Sequence, residues 1–176
     1  VWKTVNSGAA WTDLGEVAAV TPNLGLSNKI YASHIAADGS WLVSTTDGRV
    51  FRSVNDGAAW TQTASFSGEA LYKFTTIGGG HLMLNSFSGK VYKSTDHGAT
   101  WTNKGQLGVG ATNEIELWAG AYLGDDICLQ ATGDSHMWRS TDNGETWDEI
   151  GQIYVGGALA DIIVPLGGDR ALYSVT

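Results

Sequence analysis

Val91-Tyr92-Lys93-Ser94-Thr95-Asp96-His97-Gly98-Ala99-Thr100-Trp101 is the stretch whose reading decides the fold. An apolar–aromatic pair opens it, as on a strand buried on both faces, where successive side chains point opposite ways. Asp96 is of a type that accepts hydrogen bonds from the backbone of its own turn. Gly98 supplies a positive φ where a side chain would be strained. Trp101 offers a large area with which to anchor the strand that follows. The stretch therefore reads as strand, tight turn, strand.

Three more segments repeat the pattern: Val1 to Trp11, Val50 to Trp60 and Met137 to Trp147. The structural positions of these four boxes are Asn6, Gly8 and Trp11; Asn55, Gly57 and Trp60; Asp96, Gly98 and Trp101; Asp142, Gly144 and Trp147. Successive box tryptophans stand about 40 to 50 residues apart, the length of a four-stranded propeller blade. Between boxes, inner strands are expected at Ile30 to Ala36, Leu71 to Ile77, Leu117 to Tyr122 and Leu159 to Val164. Second strands follow at Trp41 to Thr45, Leu82 to Ser86, Ile127 to Ala131 and Ala171 to Val175. The Gly78-Gly79-Gly80 run between two of them reads as a hairpin turn, with no helix after it to hold a phosphate.

The repeat resembles the Asp-box, or BNR, motif: Ser/Thr, x, Asp, x, Gly, x, Thr, Trp. The third and fourth boxes match it fully, through Ser94, Asp96, Gly98, Thr100 and Trp101, and through Ser140, Asp142, Gly144, Thr146 and Trp147. The first two depart, with Asn6 and Asn55 for the Asp and Ala10 and Ala59 for the Thr. The family implied is the Asp-box β-propellers, which include sialidase-like and sortilin-like propellers. In that family the box joins the outer strands of a blade, away from the ligand face, so the boxes read as structural marks.

The expected fold is all-β: a propeller of four four-stranded blades, with the N- and C-terminal strands sharing one blade. The single domain divides into a half-blade at 1–14, blades at about 27–64, 68–105 and 113–150, and a half-blade at 158–176. Val1 and Thr176 are then neighbours in a ring closed within one chain, and the rival geometry pairs the half-blades between chains. Val1 in place of Met implies processing or a longer parent chain.

Composition narrows the function. Hydrophobic residues are 43% of the chain, enough for a core, while 24 Gly against 2 Pro suit many tight turns. A net charge of −8 with only ten Lys and Arg disfavours phosphate backbones and anionic membrane surfaces as partners. No apolar run approaches a membrane span, and no charged-then-apolar leader opens the chain. Cys128 in Ile127-Cys128-Leu129 reads as a small buried hydrophobe.

Catalytic constellations are not found. Sialidase resemblance would imply three Arg clamping a carboxylate, a Tyr/Glu nucleophile pair and an Asp acid. Arg52 and Arg139 instead share the box register of Lys3 and Lys93, Arg170 opens a second strand, and only Arg49 sits in a turn of the opposite face. Another glycosidase would need two converging carboxyls. Glu69, Glu114, Glu116 and Asp161 lie near the starts of inner strands, where they converge or simply face water. His34 lines the channel or is a hydrogen-bonded structural residue. No metal-ligand spacing appears among the four His, and no metal or cofactor is expected.

What remains is the loop face, with Tyr31, His34, Glu69, Tyr72, Glu114, Glu116, Tyr154 and Asp161 as its candidate ligand residues. The loops Thr12 to Lys29 and Asp148 to Gly157 carry apolar residues, among them Val17, Ile153 and Tyr154, which suggests a protein contact. The expected function is a non-catalytic binding or assembly module, extracellular or on a virus or phage particle. It meets protein or glycan through the loop face and forms a homo-oligomer through apolar loops. The alternatives are a glycan-active enzyme and a piece of a larger receptor or assembly-factor propeller.

Overall fold

A computed structural model describes residues 1–15, 17, 29–108, 116–153, 160–167 and 170–175. Its described residues form sixteen strands and a single 3₁₀ turn at Gly78–Gly80. The first full blade runs β3 (Ile30–Ile35), β4 (Trp41–Thr45), β5 (Arg49–Ser53) and β6 (Thr61–Ser65). The second runs β7 (Leu71–Thr76), β8 (Leu82–Ser86), β9 (Lys90–Ser94) and β10 (Thr102–Gln106). The third runs β11 (Leu117–Gly124), β12 (Ile127–Thr132), β13 (His136–Ser140) and β14 (Asp148–Gln152). Each is a sheet of antiparallel neighbours in chain order.

Two hairpins flank these blades: β1 (Trp2–Lys3) with β2 (Thr12–Asp13), and β15 (Ala160–Gly167) with β16 (Arg170–Val175). The shared terminal blade expected from the sequence is here two separate two-stranded sheets, and Thr176 lies outside the described residues.

The boxes form as their chemistry requires. In the third, Ser94 Oγ accepts the Gly98 N–H at 2.8 Å and donates to Asp96 Oδ1 at 2.8 Å. Asp96 Oδ1 also accepts the Thr100 N–H at 2.8 Å, and its other oxygen accepts the Thr100 hydroxyl at 2.6 Å. The fourth box repeats both Asp142–Thr146 bonds. Where Asn replaces Asp, the hydroxyl has gone too: Asn6 Oδ1 accepts only from the Ala10 N–H, and Asn55 Oδ1 from the Ala59 N–H, beside their Thr4 and Ser53 hydroxyl donors. An amide has one acceptor oxygen where a carboxylate has two, so Asn–Ala and Asp–Thr are matched pairs.

Both central residues of each turn are left-handed. Gly8, Gly57, Gly98 and Gly144 have φ between 80° and 86°, and Ser7, Asp56, His97 and Asn143 before them have φ between 56° and 58°. Two successive positive φ values are the pattern of a type I′ turn.

The core lies between blades. Leu42 and Val50 of the first blade pack with Leu71, Leu82 and Leu84 of the second, all fully buried. Met83 and Val91 of the second pack with Leu117 and Cys128 of the third, and Ala121 and Leu129 of the third with Ile163 of the last hairpin. Burying a side chain such as Leu contributes about 1.5–3 kcal/mol, so adjacent blades are bound chiefly by these seams. Burial pushes the Cys128 thiol up to about 12, which keeps it protonated.

The basic register of the third strand bridges blades. Lys3 pairs with Asp56 of the next box at 3.0 Å. Arg52 donates to the His97 carbonyl at 3.0 Å, and Lys93 pairs with Glu145 at 2.6 Å. Trp60 anchors as expected at 7% exposure, whereas Trp11 is 57% exposed. Val17, expected on an exposed apolar loop, is instead buried with Val43, Phe51 and Trp60.

Candidate functional site

The inner strands β3, β7, β11 and β15 each carry a register shift near their start. The shifts fall between Ile30 and Ala32, between Leu71 and Lys73, between Leu117 and Ala119, and between Ala160 and Ile162. The residues standing in those bulges are Tyr31, Tyr72, Trp118 and Asp161. A bulge leaves its extra residue out of the ladder and re-aims the side chain.

The result is a stack of three rings from three consecutive blades. Tyr31 and Tyr72 have ring centroids 4.8 Å apart and planes 28° from parallel. Tyr72 and Trp118 are also 4.8 Å apart, at 23°. Phe87 leans on Tyr72 at 5.8 Å. These are offset-stack distances, which favour aromatic pairs beyond area burial alone. Tyr31, Tyr72, Lys73 and Trp118 line a pocket of about 400 Å³.

Polar groups fix the stack. The Trp118 indole N–H donates to Glu116 Oε2. Burial, helped by the nearby Tyr31 and Glu116, pushes the Tyr72 phenol up to about 12, so it remains a neutral donor. The surface therefore offers aromatic faces and edges rimmed by phenol hydroxyls, an ammonium and a carboxylate. Such a surface can bind by stacking and hydrogen bonding. No group of three or more His, Cys, Asp or Glu able to hold a metal ion occurs among the described residues.

The candidates of the sequence reading separate here. Tyr31, Tyr72 and Glu116 come together. His34 is at the far end of β3, half-buried, its Nε2 2.9 Å from Thr76 Oγ1, and burial lowers its pKa. It is thus bound within the structure rather than presented at the stack. Glu69 is not presented to a ligand: it is 5% exposed, held by Lys90 Nζ at 2.6 Å and Ser88 Oγ at 2.5 Å. Burial opposes its charge, but the bonds from Lys90 and Ser88 prevail and hold its carboxyl below the usual range. Glu114 and Tyr154 lie outside the described residues, and Asp161 is placed at the fourth bulge by its backbone alone. Arg49, the lone arginine of the opposite turn, is 8% exposed and paired with Asp47 at 2.7 Å. Trp118 and Lys73 were missed. The signal for Trp118 was its position one residue after Leu117, matching Tyr31 after Ile30 and Tyr72 after Leu71.

No family model matches the chain, and no curated protein matches it. Among solved structures it is similar to YCF48 bound to D1 peptide, at 18% identity and a TM-score of 0.66, covering 99% of this chain and 55% of that one. It is similar to the GH74 xyloglucanase from Xanthomonas campestris, at 16% identity and a TM-score of 0.68, covering 99% of this chain and 32% of that one. A catalytically inactive virginiamycin B lyase from Staphylococcus aureus with quinupristin matches at 16% and 0.65, covering 82% of this chain and 48% of that one. The chain thus spans about half the length of the first and third of these and a third of the second. Identities this low speak to fold, and the fold they share with this chain is the β-propeller.

Proposed function

We propose that this chain is an Asp-box propeller serving as a non-catalytic binding module, outside the cell or on a virus or phage particle. Its ligand surface is the loop-side stack of Tyr31, Tyr72 and Trp118, and its ligand is a protein segment or a glycan. The single observation that carries the reading is the stack itself: the same bulge in three successive blades turns three aromatic rings into one 400 Å³ pocket. Stacked aromatics give rigid, amphipathic area at low entropy cost, and Tyr and Trp are the side chains that dominate binding energy at interfaces. The box geometry, Ser94–Asp96–Thr100 and its copies, supports the Asp-box assignment. A neighbour holding a peptide supports a protein ligand, and a xyloglucanase neighbour keeps glycans in view.

Catalysis is disfavoured by chemistry at the stack. Glu116 is the carboxylate that the described residues bring there, and it is committed to the Trp118 indole. Glu69 is buried against Lys90. A pair of carboxyls poised for glycoside cleavage is therefore not assembled from these two. The test is a glycan array and a peptide library read with the unaltered protein and with Tyr72→Ala, alongside a fluorogenic glycoside screen. The reading expects binding lost in Tyr72→Ala and no turnover. Turnover by the unaltered protein that Glu116→Gln abolishes would replace it with the enzyme reading.

A further inference from the structure

We infer that a second copy of this chain completes the propeller, with β1–β2 of each copy docking head-to-tail beside β15–β16 of the other. The inference is independent of the ligand reading above.

Each full blade orders its strands from inner to outer, and the box glycines of the second and third full blades pack on the second strand of the blade before them. A Cβ on Gly98 would meet Leu42 of β4, and a Cβ on Gly144 would meet Met83 of β8. Leu129 of β12 is at the same register, opposite Arg139 as Leu42 is opposite Arg52 and Met83 opposite Lys93. No box seats on Leu129 among the described residues, and it lines an apolar pocket of about 350 Å³ with Met137, Ile150, Ile153, Ile163 and Ala171. The box without a seat is the first: a Cβ on Gly8 would meet only its own Trp11 within 4 Å.

The basic register repeats the mismatch. Lys3, Arg52 and Lys93 each reach the next box. Arg139, fourth in the series, is exposed, and its guanidinium has no hydrogen bond or ion pair among the described residues. Ser7 of the first box stands where His97 stands in the third, and the His97 carbonyl receives Arg52. The Ser7 carbonyl is thus the acceptor that Arg139 lacks.

The strand edges agree. Among the described residues, β16 holds the position of β4, β8 and β12 but pairs only with β15, and β1 holds that of β5, β9 and β13 but pairs only with β2. Carrying over the blade register, Val43 with Phe51 and Leu84 with Tyr92, sets Tyr173 opposite Trp2 and Leu172 opposite Lys3. On the other side, Val1, Trp2, Ile35, Trp41 and Val43 line a second pocket of about 430 Å³. Each face has what the other lacks.

The occupant is a second copy rather than the same chain. β3 packs on β7, β7 on β11 and β11 on β15, but among the described residues no comparable packing joins β15 to β3 or β16 to β1. Among the described residues the arc is open, and this chain covers 55% of the first similar structure. A head-to-tail contact that closes after two copies gives a twofold ring without free edges. In it, Asp161 at the fourth bulge stands next in line to Tyr31 of the other copy, so the two aromatic stacks share one rim.

Light scattering on the 176-residue chain should give twice the mass of 18.6 kDa. Arg139→Glu should weaken self-association roughly tenfold, as expected for one charge-assisted bond across an interface. Chains carrying Trp2→Cys, mixed with chains carrying Tyr173→Cys, should oxidise to a covalent pair of unlike chains, while neither forms one alone; Cys128 is buried and does not compete. A monomeric mass, an open polymer, or a Trp2→Cys/Tyr173→Cys double variant that links within one chain would overturn the inference.

Discussion

Gly98→Ala tests how blades hold one another. Gly98 has φ +82°, and a Cβ there would lie 2.5 Å from Leu42 Cδ2 and 2.9 Å from Leu42 Cδ1. Two costs add. A left-handed conformation costs a residue with a Cβ roughly 1–2 kcal/mol. The clash adds a packing cost. Leu42 is fully buried among Leu71, Phe74 and Leu82, so it cannot swing into solvent, and overpacking of this kind costs typically ~1–3 kcal/mol. The expected loss is thus about 2–5 kcal/mol. Gly68→Ala is the control, because Gly68 shares φ +82° but a Cβ there meets nothing within 4 Å. It should lose only the conformational part, roughly 1–2 kcal/mol. Urea unfolding followed by tryptophan fluorescence gives both values. Equal losses in the two variants would refute the claim that the box turn is wedged against the preceding blade.

Three other outcomes are expected. In Asp96 and Asp142, burial opposes the charge, but hydrogen bonds from Thr100 and Thr146 prevail and hold both carboxyls below their ordinary 3.8. Their contribution is therefore present above that pH and lost as pH falls through the lowered values, so the urea midpoint should drop in acid, and less so in Thr100→Ala/Thr146→Ala. Trp60→Ala should cost about 3–5 kcal/mol through the cavity it leaves, whereas Trp11→Ala, at 57% exposure, should cost far less in thermal unfolding. Finally, ultraviolet titration of Tyr72→Phe against the parent should differ only near pH 12, where the raised Tyr72 phenol ionises; a difference near pH 10 would contradict its burial in the stack.

The fold was legible in the sequence because its signals are local. Ser94, Asp96, Gly98 and Thr100 close one turn through bonds spanning at most four residues, so their spacing alone identifies the hairpin. The inner and second strands followed from apolar runs between Gly-rich turns, and the observed strands begin or end within a few residues of those expected. The basic residue of each box was recognised as a repeat feature, but those of the first three boxes were not seen as struts, because their partners lie some 45 to 53 residues away.

The site was legible only in part. Tyr31, Tyr72 and Glu116 were named for standing near the starts of inner strands, and Glu69 was grouped with them for the same reason. Sequence position could not show that Glu69 turns inward to Lys90 and Ser88, since that choice depends on contacts 19 and 21 residues along the chain. Nor could it show that Trp118 completes a stack across three blades. A bulge is a relation between two strands, and ring contact is a relation between blades. The sequence by itself determined the hairpins, their number and their order, because short-range hydrogen bonds and turn conformations depend on neighbours in the chain. Only the tertiary structure decided which side chains face the pocket, which carboxylates are spent on cations, and where the arc of blades stays open, because burial and long-range pairing exist only once the sheets are packed.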